Sequence, residues 1–380
     1  MKALQIGMHW FPERAGGLDR VYHSLAQSLP GAGVDVRGLI VGGEQASVDT
    51  AGKIHSFAKA SDSLISRVMA SRRALAVELR DHRPDIVAAH FAMYVVGGLN
   101  LLKGFPLAMH FHGPWAEESG VEKASGINTV IKRQVEKSVY HRADKLIVLS
   151  RAFRDVLTNT YGIDPAKIAI VPGCVDVPHF DISKSRRESR ESLSLPVDRP
   201  IIFAVRRLVR RMGLEELIDA VALLKRKWPD VMLVIAGRGP LTAELQARAD
   251  AAGLTESVRL LGYVSDEMLP ELYRAADISV VPTVALEGFG LITIESLSAG
   301  TPVLVTPVGG LPEVVKQLSE SLILSSTGAE AIADRLGEFF SGTIKLPSAQ
   351  ECHAYALKNF DLPVIARKTA DVYQQVIDRR

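Results

Sequence analysis

Two doubly wound α/β domains in tandem are predicted for this chain, from three observations. Short apolar, strand-like runs alternate with segments whose apolar residues recur every three or four positions, as in a largely parallel sheet covered by helices on both faces. That alternation lapses once, around residues 172–200, and then restarts. The 380 residues also exceed what one hydrophobic core usually organises.

In the first half, Ala3–Trp10 (ALQIGMHW) reads as a strand, followed by a glycine turn and the helix-spaced LDRVYHSLAQSL of Leu18–Leu29. Further strands are expected at Val34–Val41, Pro84–Phe91, Pro106–His112 and Asp144–Ser150. The stretch VPGCVDVPHFDISKSRRESRESLSLPVDRP is rich in Pro, Ser and charge, the composition of a linker, and sets the domain boundary at 172/173. Strands then resume at Pro200–Leu208, Val231–Gly239, Ser257–Val264, Asp277–Val284 and Thr301–Pro307. No short tandem repeat accompanies this restart, so the two halves share architecture only.

Composition removes several classes of protein. With 47% apolar and 23% charged residues, nothing suggests disorder or a fibre. Cys174 and Cys352 alone cannot build a disulfide framework or a four-cysteine zinc site, which fits a reducing, cytoplasmic setting. The amino terminus turns early to charge and glycine, unlike a secretory signal, and the longest uncharged stretch, Ile86–Leu102, falls short of a membrane span. Net charge is +2, split as +5 over residues 1–170 and −3 over the remainder, too modest for nucleic-acid binding. The basic residues Lys123, Lys132, Arg133, Lys137 and Arg142 fall in one helix-spaced segment, Val121–Arg142. Two readings of it stand side by side: peripheral attraction to an anionic membrane, or a solvated face of mixed sign.

The residues that carry chemistry concentrate in EGFGLITIESLSAGTPVLVTPVGG, Glu287–Gly310. Glu287 and Glu295 are separated by seven residues, Gly288 and Gly290 follow the first acid, and a helix is expected to begin near Leu291. Glycines allow close backbone approach, and a helix start offers unpaired N–H groups to a bound anion such as a diphosphate. The helix dipole alone contributes only about 0.3–1 kcal/mol at an exposed site. Arg206, Arg207, Arg210 and Arg211, between a strand and a helix, supply the further positive charge. No Asp-X-Asp pair is present to clamp a divalent ion, so neither a metal nor any other cofactor is expected.

These segments, with AGG at Ala15–Gly17, HFHG at His110–Gly113, VPGCVD at Val171–Asp176, RRLVRRMG at Arg206–Gly213 and AGRGP at Ala236–Pro240, resemble glycosyltransferase family 4 over nearly the whole chain. The resemblance implies a GT-B fold: two facing Rossmann-like domains with an interdomain cleft. Residues 1–172 would form the acceptor side, with 362–380 packing back on it, and residues 173–361 would bind a nucleotide-sugar donor. It implies retaining transfer from a UDP- or GDP-sugar to a carbohydrate or lipid-linked acceptor. By position, Glu295 matches the acid on the ribose and Glu287 the acid on the sugar hydroxyls. Phe289, Gly290 and Leu291, with Gly288, match the turn at sugar and phosphate, Gly16 and Gly17 the loop closing over the diphosphate, and Gly239 the glycine turn of AGRGP. Arg207 matches the family arginine on the phosphates. Where the family has a lysine this chain has Met212, so the second cation is assigned to Arg211. His112 matches the histidine beside the reacting carbon. Glu287, His112, Arg207 and Arg211 are thus the expected catalytic set.

Plainer readings accompany these. Arg206 and Arg210 are expected to be solvent-facing or structural, and His90 and His110 to be packed at strand ends. Trp115, Glu117 and Glu118 form either an acceptor loop or ordinary surface, and the terminal helix belongs to either domain. A nucleotide-sugar epimerase on the same fold and a non-catalytic sugar-nucleotide-binding protein are the competing functions. A dehydrogenase is disfavoured by the missing GXGXXG after the first strand.

Overall fold

A computed structural model describes residues 1–14, 16–116 and 126–379. The chain forms two compact units, Met1–Cys174 with Leu362–Arg380, and Val175–Asp361.

Unit 1 is built on seven parallel strands: β1 (Lys2–His9), β2 (Asp35–Val41), β3 (Ile54–Ala58), β4 (Ile86–Ala89), β5 (Leu107–Phe111), β6 (Lys145–Val148) and β7 (Ile168–Ile170). Their order is β3-β2-β1-β4-β5-β6-β7. Central strands are buried on both faces: all four residues of β4 and all five of β5 are shielded, which explains their uninterrupted apolar runs. β3 and β7 were not among the expected strands. Both are edge strands whose residues are mostly half-exposed, so neither needs the apolar run that marks a central strand.

Unit 2 holds five parallel strands, β8 (Ile201–Val205), β9 (Met232–Ala236), β10 (Val258–Gly262), β11 (Ile278–Val281) and β12 (Val303–Val305), in the order β10-β9-β8-β11-β12. In both sheets the order reverses beside the first strand, between β1 and β4 and between β8 and β11. The crevice beyond the carboxyl ends at such a reversal is where ligands bind in sheets of this kind.

From Val175 onward, the segment read as a linker is part of unit 2. It contains the helices Val177–Phe180 and Arg186–Ser192, the second opened by a capping box between Ser185 and Glu188. Arg190 is buried, donating to the carbonyls of Ala275 at 2.8 Å and Val197 at 2.6 Å and to Asp277 at 2.8 Å. Its charge is therefore a fastener between elements and not a sign of solvation. The helix Leu362–Ile377 packs in unit 1 against the Gly17–Ser28 helix and the Leu29–Ala32 turn. Cys174 and Cys352 are buried and not disulfide-bonded. Among the described residues, no helix is long and apolar enough to cross a membrane.

Candidate functional site

In unit 2, the reversal between β8 and β11 brings Arg206, just past β8, to Glu287, in the loop past β11. Arg206 Nη2 donates to Glu287 Oε2 at 2.6 Å and also to Thr283 Oγ1. The Arg206 and Glu287 side chains are only 7% and 14% exposed. Burial by itself would raise the Glu287 carboxyl. The Arg206 charge and hydrogen bond, the Arg211 charge and the Phe289 amide outweigh it and hold the group below its ordinary range. Arg211 Nη1 donates to the Leu286 carbonyl at 2.9 Å, one residue before Glu287.

The glycine pair of the motif fixes this loop from beneath. Gly310 N–H donates to the Glu287 carbonyl at 3.0 Å, and a Cβ on Gly309, where φ is +56°, would stand 1.9 Å from that same oxygen. Gly239 has a packing role of the same kind: its Cβ would lie 2.3 Å from the Leu208 carbonyl, so the arginine-bearing turn rests directly on it. Gly290, at φ +80°, caps the helix Leu291–Ser298, which has no side-chain cap. Gly288 is buried, and Phe289 anchors the loop through an edge contact with Phe360. Glu295 lies within that helix, 3% exposed, and accepts a hydrogen bond from the Tyr273 hydroxyl at 3.0 Å.

The structure therefore gathers Glu287, Gly288, Phe289, Gly290, Leu291 and Arg211 with Arg206, while Arg207 is exposed on the same turn. Of the two expectations for Arg206, solvent-facing or structural, the second describes it, because the strand end turns it onto Glu287. Arg210 lies at the surface, paired with Glu215 at 3.1 Å and Glu244 at 2.9 Å.

In unit 1, the carboxyl ends of β1, β4 and β5 carry His9, His90 and His112 at the corresponding reversal. Gly16 is the extended N-cap of the Gly17–Ser28 helix, and its missing side chain leaves room for Asp19, whose Oδ1 accepts from the His9 amide at 2.9 Å. A Cβ on Gly17 would meet nothing within 4 Å, so packing inside this unit does not demand a glycine there. Ala15, Glu117, Glu118 and Lys123 lie outside the described residues.

His112 Nε2 lies 3.0 Å from His90 Nδ1. The His90 and His110 rings stack at 4.2 Å with planes 6° apart. His112, His90 and His110 thus form one cluster, and local sequence gave no reason to join them. Burial lowers all three, His112 to about 4 against a smaller opposing pull from Asp19, so each is neutral at physiological pH. Trp115 receives the Lys132 ammonium 4.5 Å above its ring, and its amide donates to Glu136 at 2.9 Å. Among the described residues, no group of three His, Cys, Asp or Glu is arranged to hold a metal ion.

With this geometry established, comparison with known proteins is informative. Residues 15–178 match the family described as glycosyltransferase family 4, and residues 185–358 match glycosyl transferases group 1. The chain is 26% identical over 301 residues to an uncharacterized glycosyltransferase of Methanocaldococcus jannaschii, covering 76% of this chain and 75% of that one. It is 32% identical over 219 residues to a D-inositol 3-phosphate glycosyltransferase of Corynebacterium urealyticum, covering 55% of this chain and 51% of that one. The chain thus spans about half the length of this second relative. The crystal structure of Anabaena HepE in complex with UDP and glucose is similar in fold, with a TM-score of 0.80 and 20% identity over 99% of this chain and 100% of that one.

Proposed function

The chain belongs to glycosyltransferase family 4, and on that premise we propose that it moves a sugar, with retained configuration, from a UDP- or GDP-linked donor to a carbohydrate or lipid-linked acceptor. The product is a surface polysaccharide or glycolipid. The observation that carries this reading is the Arg206–Glu287–Arg211 cluster at the strand reversal of unit 2, beside a helix start with no side-chain cap. Relatives named as D-inositol 3-phosphate glycosyltransferases, and a fold neighbour crystallised with UDP and glucose, support a sugar-nucleotide donor.

An ionised carboxylate only accepts hydrogen bonds, which suits Glu287 to the hydroxyls of the donated sugar. Glu295 takes the ribose hydroxyls. Arg207 and Arg211 face the diphosphate, each charge-assisted bond contributing roughly 1.5–3 kcal/mol. The amides of Gly290 and Leu291 and those of Gly16 and Gly17 add main-chain donors, while the Phe289 amide helps keep Glu287 ionised. Gly239 supports the arginine turn from below. In the reaction, the bond from the anomeric carbon to the phosphate oxygen breaks as the acceptor oxygen bonds to that carbon on the same face. The acceptor proton passes to the departing phosphate oxygen. The protein's part is orientation and stabilisation of the negative charge on the leaving diphosphate by arginines and amides, with no step assigned to a cofactor or divalent ion. His112 hydrogen-bonds a hydroxyl beside the reacting carbon.

We also assign this protein to the inner face of the plasma membrane, held peripherally by unit 1. Leu64, Ile65 and Met69 on the helix Leu64–Asp81 and Val130 and Ile131 on the helix Gly126–Arg142 are exposed apolar residues. Both helices pack on the short Met93–Val96 helix, and the second also carries Lys132, Arg133 and Lys137. Apolar residues among basic ones suit an anionic lipid surface.

A thermal-shift screen of nucleoside diphosphates and their sugars, followed by product analysis, tests the main reading. One nucleotide class is expected to raise the melting temperature, and its sugar is expected on an acceptor. Sugar donor consumed without a glycoside would point to an epimerase, and binding without turnover across a broad acceptor panel to a non-catalytic binding protein.

A further inference from the structure

Behind His112 runs a buried chain of side chains that the proposed chemistry does not use directly. His90 Nδ1 stands 3.0 Å from His112 Nε2, and His90 Nε2 stands 2.7 Å from Gln5 Oε1. Gln5 Nε2 donates to the Tyr373 hydroxyl at 3.1 Å, and that hydroxyl lies 2.7 Å from His110 Nε2. Gln5, His90, His110 and Tyr373 are each no more than 3% exposed, so bulk solvent does not reach them. The rings are held as well as bonded. The His90 ring stands against both other imidazoles, with centroids 4.2 Å from His110 and 5.2 Å from His112, and Tyr22 meets it edge-on at 5.1 Å.

With the Gln5 amide oxygen on His90 and its nitrogen on Tyr373, proton counting along this chain has one solution. A neutral imidazole has one donor and one acceptor nitrogen, and an amide oxygen only accepts. His90 must therefore donate from Nε2 to Gln5, which leaves His90 Nδ1 as an acceptor. His112 must then donate from Nε2, which leaves its lone pair on Nδ1. At the other end, Tyr373 accepts from Gln5 and gives its own proton to His110 Nε2, closing the sequence with every link satisfied.

We propose that Tyr373, Gln5 and His90 are positioning residues that lock His112 as the neutral Nε2–H tautomer, so that it meets a substrate hydroxyl through Nδ1 as a hydrogen-bond acceptor. The terminal helix Leu362–Ile377, which carries Tyr373, is through this relay part of the transfer machinery. The substrate half of the inference rests on the proposed function, whereas the tautomer half does not.

The test is nitrogen-detected NMR of the histidine side chains in the full-length protein, paired with steady-state kinetics. In the wild type, His112 is expected to show a protonated Nε2 and an unprotonated Nδ1. Tyr373→Phe and His90→Phe, which keep the ring packing but cut the relay, are expected to give a mixture of His112 tautomers. They should lower kcat about ten-fold with KM for the sugar donor little changed, the size of one lost hydrogen bond. His112 protonated on Nδ1 in the wild type would overturn the proposal, as would a tautomer and kcat unmoved in both variants. If the tautomer shifts as expected while His112→Ala retains full turnover, the substrate contact of His112 is overturned and the relay stands.

Discussion

At the scale of single residues, the Glu287 carboxylate makes a pH-dependent contribution whose sign follows from its surroundings. Its folded value is depressed by Arg206 and Arg211 against the effect of burial. A depressed carboxyl contributes stability above its unfolded value, about 4.3, and loses it as pH falls through the lower folded value. Glu287→Gln should therefore melt below the wild type at neutral pH, with the gap closing below about pH 4, as read by calorimetry across pH. A gap undiminished at pH 3 would contradict the assignment. The acids and glycines of this loop were legible in the sequence because their spacing is carried by contiguous residues. The choice between Arg206 and Arg207 was not. They are chemically identical neighbours, and the exit of β8 decides which one is turned onto Glu287 and which stays exposed. The His112 relay was less legible still, since His110 and Tyr373 are 263 residues apart.

At the scale of elements, the proposed membrane contact draws on exposed apolar residues of two unit 1 helices that both pack on Met93–Val96. These are Ile65, Met69, Val130 and Ile131, each at least 49% accessible. In cosedimentation at low salt, the protein is expected to pellet with anionic vesicles and to stay in solution with zwitterionic ones. Ile65→Glu combined with Ile131→Glu should abolish pelleting without lowering the melting temperature, because neither side chain is in the core. Equal binding to both vesicle types would remove the electrostatic part of the proposal. The sequence located every strand buried on both faces, since such strands are runs of apolar residues that nothing else imitates. It found the edge strands β10 and β12 and missed β3 and β7, which are short and mostly half-exposed. It misread the Arg186–Ser192 helix because an arginine that fastens carbonyls and an arginine in water look alike in one dimension.

At the scale of the whole molecule, the alternating pattern and its restart were enough to give two parallel sheets. The strand orders that create the two reversals, and so place the clusters, depend on long-range pairing that no local pattern records. The route of the chain, which completes unit 2 at Asp361 and returns to unit 1 for its last helix, was implied by the family resemblance and by no local pattern. That route makes a counterintuitive prediction. The helix Leu362–Ile377 buries Ile365, Val372, Tyr373 and Val376 in unit 1, together with the hydroxyl that Gln5 and His110 share. At roughly 1.5–3 kcal/mol for each large apolar side chain, their burial is comparable to the whole stability of a typical domain, about 5–15 kcal/mol. A chain ending at Asp361 should therefore lose its structure at the opposite end of the sequence. Hydrogen exchange followed by mass spectrometry is expected to show lost protection throughout β1, β4 and β5, while β8, β9 and β11 keep theirs. Uniform loss across both sheets would mean that unit 2 cannot stand without unit 1, and unchanged protection in β1 would mean that the returning helix is dispensable to the sheet it covers.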